Sequence, residues 1–422
     1  MATATTSVTE ICRAAKRASR TLATLDSATK DAALEAIAVA LVERTAEILE
    51  ANARDLEAAR EADIGSALLD RLALDERRVA DMAAAVRKIA ALPDPVGEVI
   101  DGSTLPNGLE LRKVRVPLGV VAVVYEARPN VTIDAAALGL KSGNAVVLRG
   151  SSSAAHSNEV LAAVAGQAVA EAGLPEGALS LVAGGGREEL AELATQTGVV
   201  DLIIPRGGEG LKAALKGVAT VPVIYAASGN CHVYVDASAD LEAARAIILN
   251  AKVQRPGTCN AAEKLLVHAD VAGAFLPPAL AALNDAGVTL RGDQRARAAA
   301  GPGVEIGAAS EGDWDTEYLA LELAVSVVDS VHEAIEHINR HGSGHSEAIV
   351  TRDTASARAF RLGVDAAVIY VNASTRFTDG GEFGLGAEIG NSTQKLHARG
   401  PIGLRELCST KYVVEGDGHI RP

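Results

Sequence analysis

The chain lacks the cysteine spacing that marks a stapled or metal-bound fold. Its four cysteines, Cys12, Cys231, Cys259 and Cys408, lie far apart and form no C-x-x-C pair, so neither a disulfide framework nor a structural zinc site is expected. No H-E-x-x-H or other metal spacing occurs among the nine histidines, and His341, His345 and His397 read as surface or hydrogen-bonded structural residues. There is no Lys/Arg run. The formal net charge of −14 repels phosphate backbones, which argues against nucleic acid as a partner. The longest uncharged stretch near mid-chain, Gly217 to Val235, is interrupted by Pro222 and by Ser228-Gly229-Asn230-Cys231-His232. It cannot span a membrane. The opening Met1 to Ser7 runs into scattered charges without an apolar block ahead of a cleavage site, and a cytoplasmic protein is expected.

What is present is an ordinary globular composition, 48% hydrophobic and 22% charged over 422 residues, enough for two or three domains with sizeable cores. Leu34, Ile37, Ala38, Leu41, Val42, Ile48 and Leu49 recur at helical spacing, so the first hundred residues are read as amphipathic helix. Beyond Pro93 and Pro95, Val96 to Ile100 and Glu110 to Val116 flank a turn containing Pro106-Asn107-Gly108. This predicts a β-hairpin. Apolar β-branched runs then alternate with helical stretches: Gly119–Tyr125, Ala145–Leu148, Leu179–Val182, Leu202–Ile204 and Val221–Ile224. The alternation predicts a parallel sheet covered on both faces, with ligands at the carboxyl ends of its strands. A second set follows from His232, including Lys264–His268, Leu323–Val328, Glu347–Val350 and Ala367–Val371. The seam between the two falls near Ser228 to Asn230, and Ser330-Val331-His332-Glu333 reads as a capping box.

Cys259 stands in Gln254-Arg255-Pro256-Gly257-Thr258-Cys259-Asn260, a Pro/Gly turn between a helix and a strand. It is either a presented thiol, activated by backbone N–H groups or by a cation such as Arg255, or a small buried hydrophobe. For the other three cysteines burial is the reading. Arg149-Gly150-Ser151-Ser152 follows a strand and opens a helix, a place suited to phosphate, and Arg149 could grip an adenosine 2′-phosphate, favouring NADP over NAD. Pro205-Arg206-Gly207-Gly208-Glu209-Gly210 repeats the arrangement. Neither is a G-x-G-x-x-G fingerprint, and tight connection is the competing reading for both, as it is for Gly184-Gly185-Gly186. Asn130, in Tyr125-Glu126-Ala127-Arg128-Pro129-Asn130-Val131-Thr132, is either a helix N-cap or an amide donor to an oxyanion.

Taken together, these segments resemble the aldehyde dehydrogenase superfamily, and within it the branch that reduces γ-glutamyl phosphate. The most specific stretches are Tyr125 to Thr132, Lys141 to Gly150, Gly229 to Asp236, Gln254 to Asn260, His345 to Ile349 and Tyr370 to Gly381. Phe383 to Glu388 and Thr393 to Pro401 are distinctive of that branch. The resemblance implies an α/β, aldehyde dehydrogenase-like fold. A Rossmann-type cofactor domain is expected over 1–96, 118–228 and 376–400, and an α/β catalytic domain over 229–375. A small β oligomerisation element is expected over 97–117 and 401–422, with a C-terminal strand near Ser409 to Val414, so that the chain associates with itself.

The resemblance further implies that Cys259 is the nucleophile and that Asn130 and the Cys259 N–H form the oxyanion hole. Arg149, Gly150, Ser151, Ser152, Arg206, Gly207 and Gly208 would face NADPH, and Glu317 its nicotinamide ribose. Arg128, Arg255, Arg376, Lys395 and Arg399 are the cations available for the anionic substrate. The expected reaction is NADPH-dependent reduction of L-glutamyl 5-phosphate to L-glutamate 5-semialdehyde through a cysteine thioester, a step in proline biosynthesis, with contact to the upstream glutamate kinase conceivable. The competing readings are an NAD(P)-dependent semialdehyde dehydrogenase, a cysteine acyltransferase and a non-catalytic nucleotide-binding module. Hydrolytic members carry a glutamate base ahead of the cysteine. Here the corresponding stretch reads Ala226-Ala227-Ser228-Gly229-Asn230, which suits a thioester reserved for hydride.

Overall fold

A computed structural model describes residues 7–184, 186–225 and 228–421. Gly185 of the glycine triplet, Ala226-Ala227 of the stretch without a carboxylate, the opening Met1 to Thr6 and the terminal Pro422 lie outside the described residues. The chain divides into two compact units, one comprising Met1–Tyr225, Gly384–Gly390 and Ile402–Pro422, the other Ala226–Phe383 and Asn391–Pro401.

The first unit opens with helices Val8–Leu22, Ser27–Glu43, Thr45–Glu61, Ser66–Leu72 and Glu76–Ala90. Ser7 and Glu10 form a reciprocal capping box at the first, and Leu34, Ile37, Ala38, Leu41 and Ile48 are fully buried. The helical run predicted from Thr29 is broken at Arg44. Strands β1 (Val99–Thr104) and β2 (Glu110–Pro117) form the predicted antiparallel hairpin, and Cys408–Glu415 pairs antiparallel with β2. This three-stranded sheet groups with the first unit rather than standing as a separate element.

Strands β3 (Val120–Tyr125), β4 (Ala145–Arg149), β5 (Leu179–Leu181) and β6 (Leu202–Arg206) make a parallel sheet in the order β5-β4-β3-β6. Every residue of β3 and β4 is buried, as continuous apolar runs covered on both faces must be. Val221–Ile224, predicted as a fifth strand, makes only the isolated bridge Ile203↔Val223. Pro222 has no N–H to give a ladder, and only its carbonyl is used, by the Ile203 N–H at 2.9 Å. The helix Asn130–Lys141 returns from β3 to β4 and stops at Gly143, whose φ of 77° is the left-handed conformation of a helix-ending glycine. Its end is closed by Asn144 N–H to the Gly139 carbonyl at 2.8 Å.

The second unit holds a seven-stranded sheet of β7 (Cys231–Val235), β8 (Ala262–His268), β9 (Thr289–Gly292), β10 (Ile306–Ala308), β11 (Glu322–Val328), β12 (Ser346–Val350) and β13 (Val368–Val371). Its order is β10-β9-β11-β8-β7-β12-β13, and every pairing is parallel. β9 and β10 were not anticipated, and neither was the helix Ala269–Asp285, which carries Pro277 and Pro278 inside it. Phe275, Leu276, Ala279 and Leu280 of that helix pack into the sheet's main core. Ser330 accepts from the Glu333 N–H at 3.1 Å as the capping box requires, but Glu333 reaches back to the Asp329 N–H instead of Ser330.

The division departs from the expected one in the segment 376–400. Only Gly384–Gly390 groups with the first unit; Arg376–Phe383 and Asn391–Gly400 group with the second. Asn391-Ser392 pairs with Gly400-Pro401, and Lys395 and Arg399 both bind Asp365. Those pairings tie the loop to the second unit, and no periodicity in the sequence signals them.

The buried Asp55 carboxylate sits at the start of helix Ala155–Glu171, where it accepts from the His156 and Ser157 N–H groups at 3.1 and 2.8 Å and from the Ser157 hydroxyl at 2.6 Å. Asp55→Ala orphans these donors and is expected to cost about 2 kcal/mol. Thermal unfolding should show a melting midpoint lower by roughly 5 °C; an unchanged midpoint would mean that water replaces the carboxylate without penalty.

Candidate active site

In the second unit Cys259 lies on the turn after helix Leu241–Val253, three residues ahead of β8, and is partly exposed, whereas Cys12, Cys231 and Cys408 are buried. Cys259 is therefore not the small buried hydrophobe of the competing reading, and burial is found for the other three. The turn enters the amino end of β8, and Gly229-Asn230 likewise leads into β7. The predicted placement of ligands at carboxyl strand ends therefore does not extend to this thiol.

Gly229 is packed against the Cys259 peptide so closely that a Cβ there would overlap the carbonyl carbon and oxygen. The Gly229 N–H donates to Glu317 Oε1 at 2.6 Å, and the Cys231 thiol lies 3.2 Å from the Cys259 carbonyl oxygen. Asn230 fixes the same stretch from the other side: its amide nitrogen donates to the carbonyls of Trp314 and His341, each at 2.7 Å, and its N–H to Ser343 Oγ at 3.0 Å.

The backbone on either side of Glu317 is held by two residues that the sequence reading did not single out. Lys264 Nζ donates to the Thr316 carbonyl at 2.8 Å and lies over the Tyr318 ring, while the Leu319 N–H, at a residue with φ of 54°, donates to Glu263 Oε1 at 3.3 Å. Both side chains are fully buried on β8. Glu263 is paired with the equally buried Lys252 at 2.9 Å. Burial pulls the Lys264 ammonium below its ordinary value and pushes the Glu263 carboxyl up, Lys252 opposing the latter. Charged residues inside a strand otherwise apolar were the available signal.

The five candidate cations separate. Arg376 donates to Gln254 Oε1 at 2.7 Å and to Thr258 Oγ1 at 3.1 Å, so it is tied to the cysteine turn from both sides. Burial pulls its guanidinium below the ordinary value, with Arg255 adding to that effect and Cys259 and Asp379 opposing it. Arg376 is thus the cation of the five that the structure ties to the cysteine turn. Lys395 and Arg399 instead bind opposite oxygens of Asp365, at 2.5 and 2.8 Å. They line a hollow of about 230 Å³ with Asn339, Ser343 and Thr393. Arg128 is exposed in the first unit, on the turn before Asn130.

In the first unit Ala127 adopts φ of 44°, strained for a residue with a Cβ, and its N–H donates to Ser151 Oγ at 3.3 Å. That joins the turn after β3 to the turn after β4. Asn130 is the first residue of its helix, not the cap; Pro129 occupies the cap position without a side-chain bond. The Asn130 amide nitrogen donates to Asp134 Oδ2 at 2.9 Å, so the N-cap reading is set aside.

Gly150, Ser151 and Ser152 line a hollow with Asn158, Leu181, Val182 and Ala183. Arg149 is almost buried beside it and donates to the Gly186 carbonyl at 2.6 Å. The expected free N–H donors at the following helix are a correction, because Asp55 occupies two of them. The second cradle is more open. Gly208 caps helix Glu209–Val218, its N–H donates to Glu126 Oε2 at 2.9 Å, and Gly208, Glu209 and Gly210 are exposed. Arg206 packs against the backbone of Gly390.

Two parallel α/β units, one with glycine-rich turns at its strand ends and the other with a cysteine on a cation-flanked turn, are the parts of a nucleotide-linked, thiol-dependent enzyme. The aldehyde dehydrogenase family model matches residues 1–310. A gamma-glutamyl phosphate reductase of Thermobifida fusca is 57% identical over 414 residues, 98% of this chain and 98% of that protein. One from Moorella thermoacetica is 56% identical over 96% of this chain and 97% of its own length. The crystal structure of gamma-glutamyl phosphate reductase from Thermotoga maritima superposes with a TM-score of 0.96 at 46% identity, covering 99% of this chain and 100% of that one. The chain belongs to the aldehyde dehydrogenase family and, within it, to the gamma-glutamyl phosphate reductases.

Two outcomes follow from the geometry of the cysteine turn. Gly229→Ala should lower kcat by roughly 100-fold through displacement of the Cys259 peptide with an unchanged far-ultraviolet circular dichroism spectrum; full activity would show that the turn tolerates the shift. Arg376→Met should raise the midpoint pH for alkylation of Cys259 by iodoacetamide by about one unit, read from the mass of the Cys259 peptide. A midpoint that stays put would remove Arg376 from the account of the thiolate.

Proposed function

We propose that this chain reduces L-glutamyl 5-phosphate to L-glutamate 5-semialdehyde, releasing inorganic phosphate, with NADPH as reductant. The observation that carries the reading is the partly exposed Cys259 on a turn bound by Arg376 and packed on Gly229, in a chain that matches gamma-glutamyl phosphate reductases along almost its full length.

The Cys259 thiolate attacks the γ-carbonyl, the C–O bond to phosphate breaks, and a thioester remains. Arg376, tied to the cysteine turn, favours the thiolate and receives negative charge from the departing phosphate in a protein whose overall charge opposes it. The Cys259 N–H and the Asn130 amide serve as oxyanion donors, each contributing about 3 kcal/mol to such steps elsewhere. When bound, the nicotinamide supplies the hydride that converts the thioester carbonyl to a thiohemiacetal. Collapse of that adduct breaks the C–S bond, returns the thiolate and releases the aldehyde.

A dinucleotide is assigned to the glycine-rich turns of the first unit, its adenosine end to Arg149 and the turn at Gly150 to Ser152 and its pyrophosphate to the exposed first turn after Gly208. Glu317 is assigned to the nicotinamide ribose. The three-stranded sheet of β1, β2 and Cys408–Glu415, with Val99, Ile100, Tyr412 and Val414 exposed, is assigned to self-association. Cytoplasmic residence accords with there being no helix among the described residues long and apolar enough to cross a membrane.

The reverse reaction tests the proposal. Enzyme supplied with glutamate semialdehyde and NADP should form NADPH only when inorganic phosphate is present, and Cys259→Ala should form none. NADPH production without phosphate would favour a hydrolytic semialdehyde dehydrogenase, and no NADPH under either condition would sink the reductase reading.

A further inference from the structure

Asp134 is the only acidic residue of the helix Asn130–Lys141, and from Val131 onward every other residue of that helix is buried. Asp134 itself is partly exposed, so its carboxylate gives up part of its hydration at the margin of an apolar segment and needs a hydrogen bond in exchange. Its Oδ2 accepts from Asn130 Nδ2 at 2.9 Å, one helical turn away on the same face. Burial pushes the Asp134 carboxyl up to about 6, opposed by Asn130 and by Arg206 at the end of β6, the charged group that acts on it.

We propose that Asp134 is the positioning residue for Asn130, fixing which end of its amide is offered to the substrate carbonyl. An ionised carboxylate only accepts hydrogen bonds, so it selects the amide orientation that turns NH2 toward it and opposes the flipped one, in which two oxygens would face each other. One amide hydrogen goes to Asp134 and the second stays available to a developing oxyanion. A protonated Asp134 can donate to the amide oxygen instead, and the selection is lost. The proposal rests on the reading of Asn130 as an oxyanion donor.

The experiment is a double-mutant cycle on kcat with saturating substrates, for Asn130→Ala, Asp134→Asn and the two combined. Asn130→Ala should lower kcat by roughly 100-fold. Asp134→Asn, close in shape but able to donate, should lower it by roughly 10-fold with KM for NADPH unchanged, and Asp134→Glu should restore part of the loss. Adding Asp134→Asn to Asn130→Ala should slow the enzyme no further. In the wild type kcat should fall as pH drops through about 6, and that limb should be absent in Asn130→Ala, a readout that does not depend on the Asp134 variants folding. Full kcat in Asp134→Asn, a limb that persists without the Asn130 amide, or additive losses in the double variant would overturn the positioning role and leave the Asn130 reading intact. Full kcat in Asn130→Ala would overturn the reading beneath it.

Discussion

Two backbones meeting without room for a side chain set the geometry of the cysteine turn. The Cys259 carbonyl lies directly on Gly229, so the position of the thiol is decided by whatever holds Gly229. That is Glu317 on one side and, through Asn230, the segments ending at Trp314 and His341 and the Ser343 hydroxyl on the other. Glu317 in turn sits on a loop fastened to Glu263 and Lys264, which emerge from the same strand that the cysteine turn enters. The support closes on itself: β8 anchors the loop that orients the peptide that leads back into β8. Such a ring converts the rigidity of a parallel sheet into fixed placement of one sulfur, as the role proposed for it requires.

The energetic logic of that ring is unusual for a core. Lys252, Glu263 and Lys264 are fully buried on or against β8, and ionic groups taken out of water contribute little to net stability even when paired. Apolar residues of similar volume would serve the core as well. They could not offer a donor to the Thr316 carbonyl and an acceptor to the Leu319 N–H at once. The charges accordingly make sense as a positioning device for the loop, and removing one of them would leave its partner buried and uncompensated.

Much of this was legible in the sequence and some was not, for physical reasons that differ from place to place. Continuous apolar runs gave β3, β4, β6, β7, β8, β11 and β12, because strands buried on both faces read that way, and the same texture gave the less buried β5 and edge strand β13. The Pro/Gly turn gave Cys259. β9 and β10 are three or four residues long, too short to show a period, and Pro277-Pro278 disguised a helix that tolerates them. The N-terminus of Ala155–Glu171 looked open because Asp55, a hundred residues earlier, gives no local sign of filling it. Arg376 and Lys395 looked alike as motif cations and diverged only when the fold brought Thr258 to one and Asp365 to the other.

The contrast between Arg376 at the Cys259 turn and the acidic balance of the whole chain bears on the proposal that a thioester is reserved for reduction. A hydrolytic enzyme needs a carboxylate poised to take a proton from water beside the acyl-enzyme. The carboxylate that the fold does bring to the cysteine turn, Glu317, has an oxygen engaged by the Gly229 N–H at 2.6 Å, so it acts there as an acceptor for backbone. In the proposed reaction Arg376, tied to the turn, favours a thiolate and a departing phosphate, and a guanidinium has no acceptor atom with which to deprotonate water. Positive charge at the turn suits the acyl phosphate of the proposed reaction, and it lies in a side chain that local sequence pattern treats as an interchangeable surface charge.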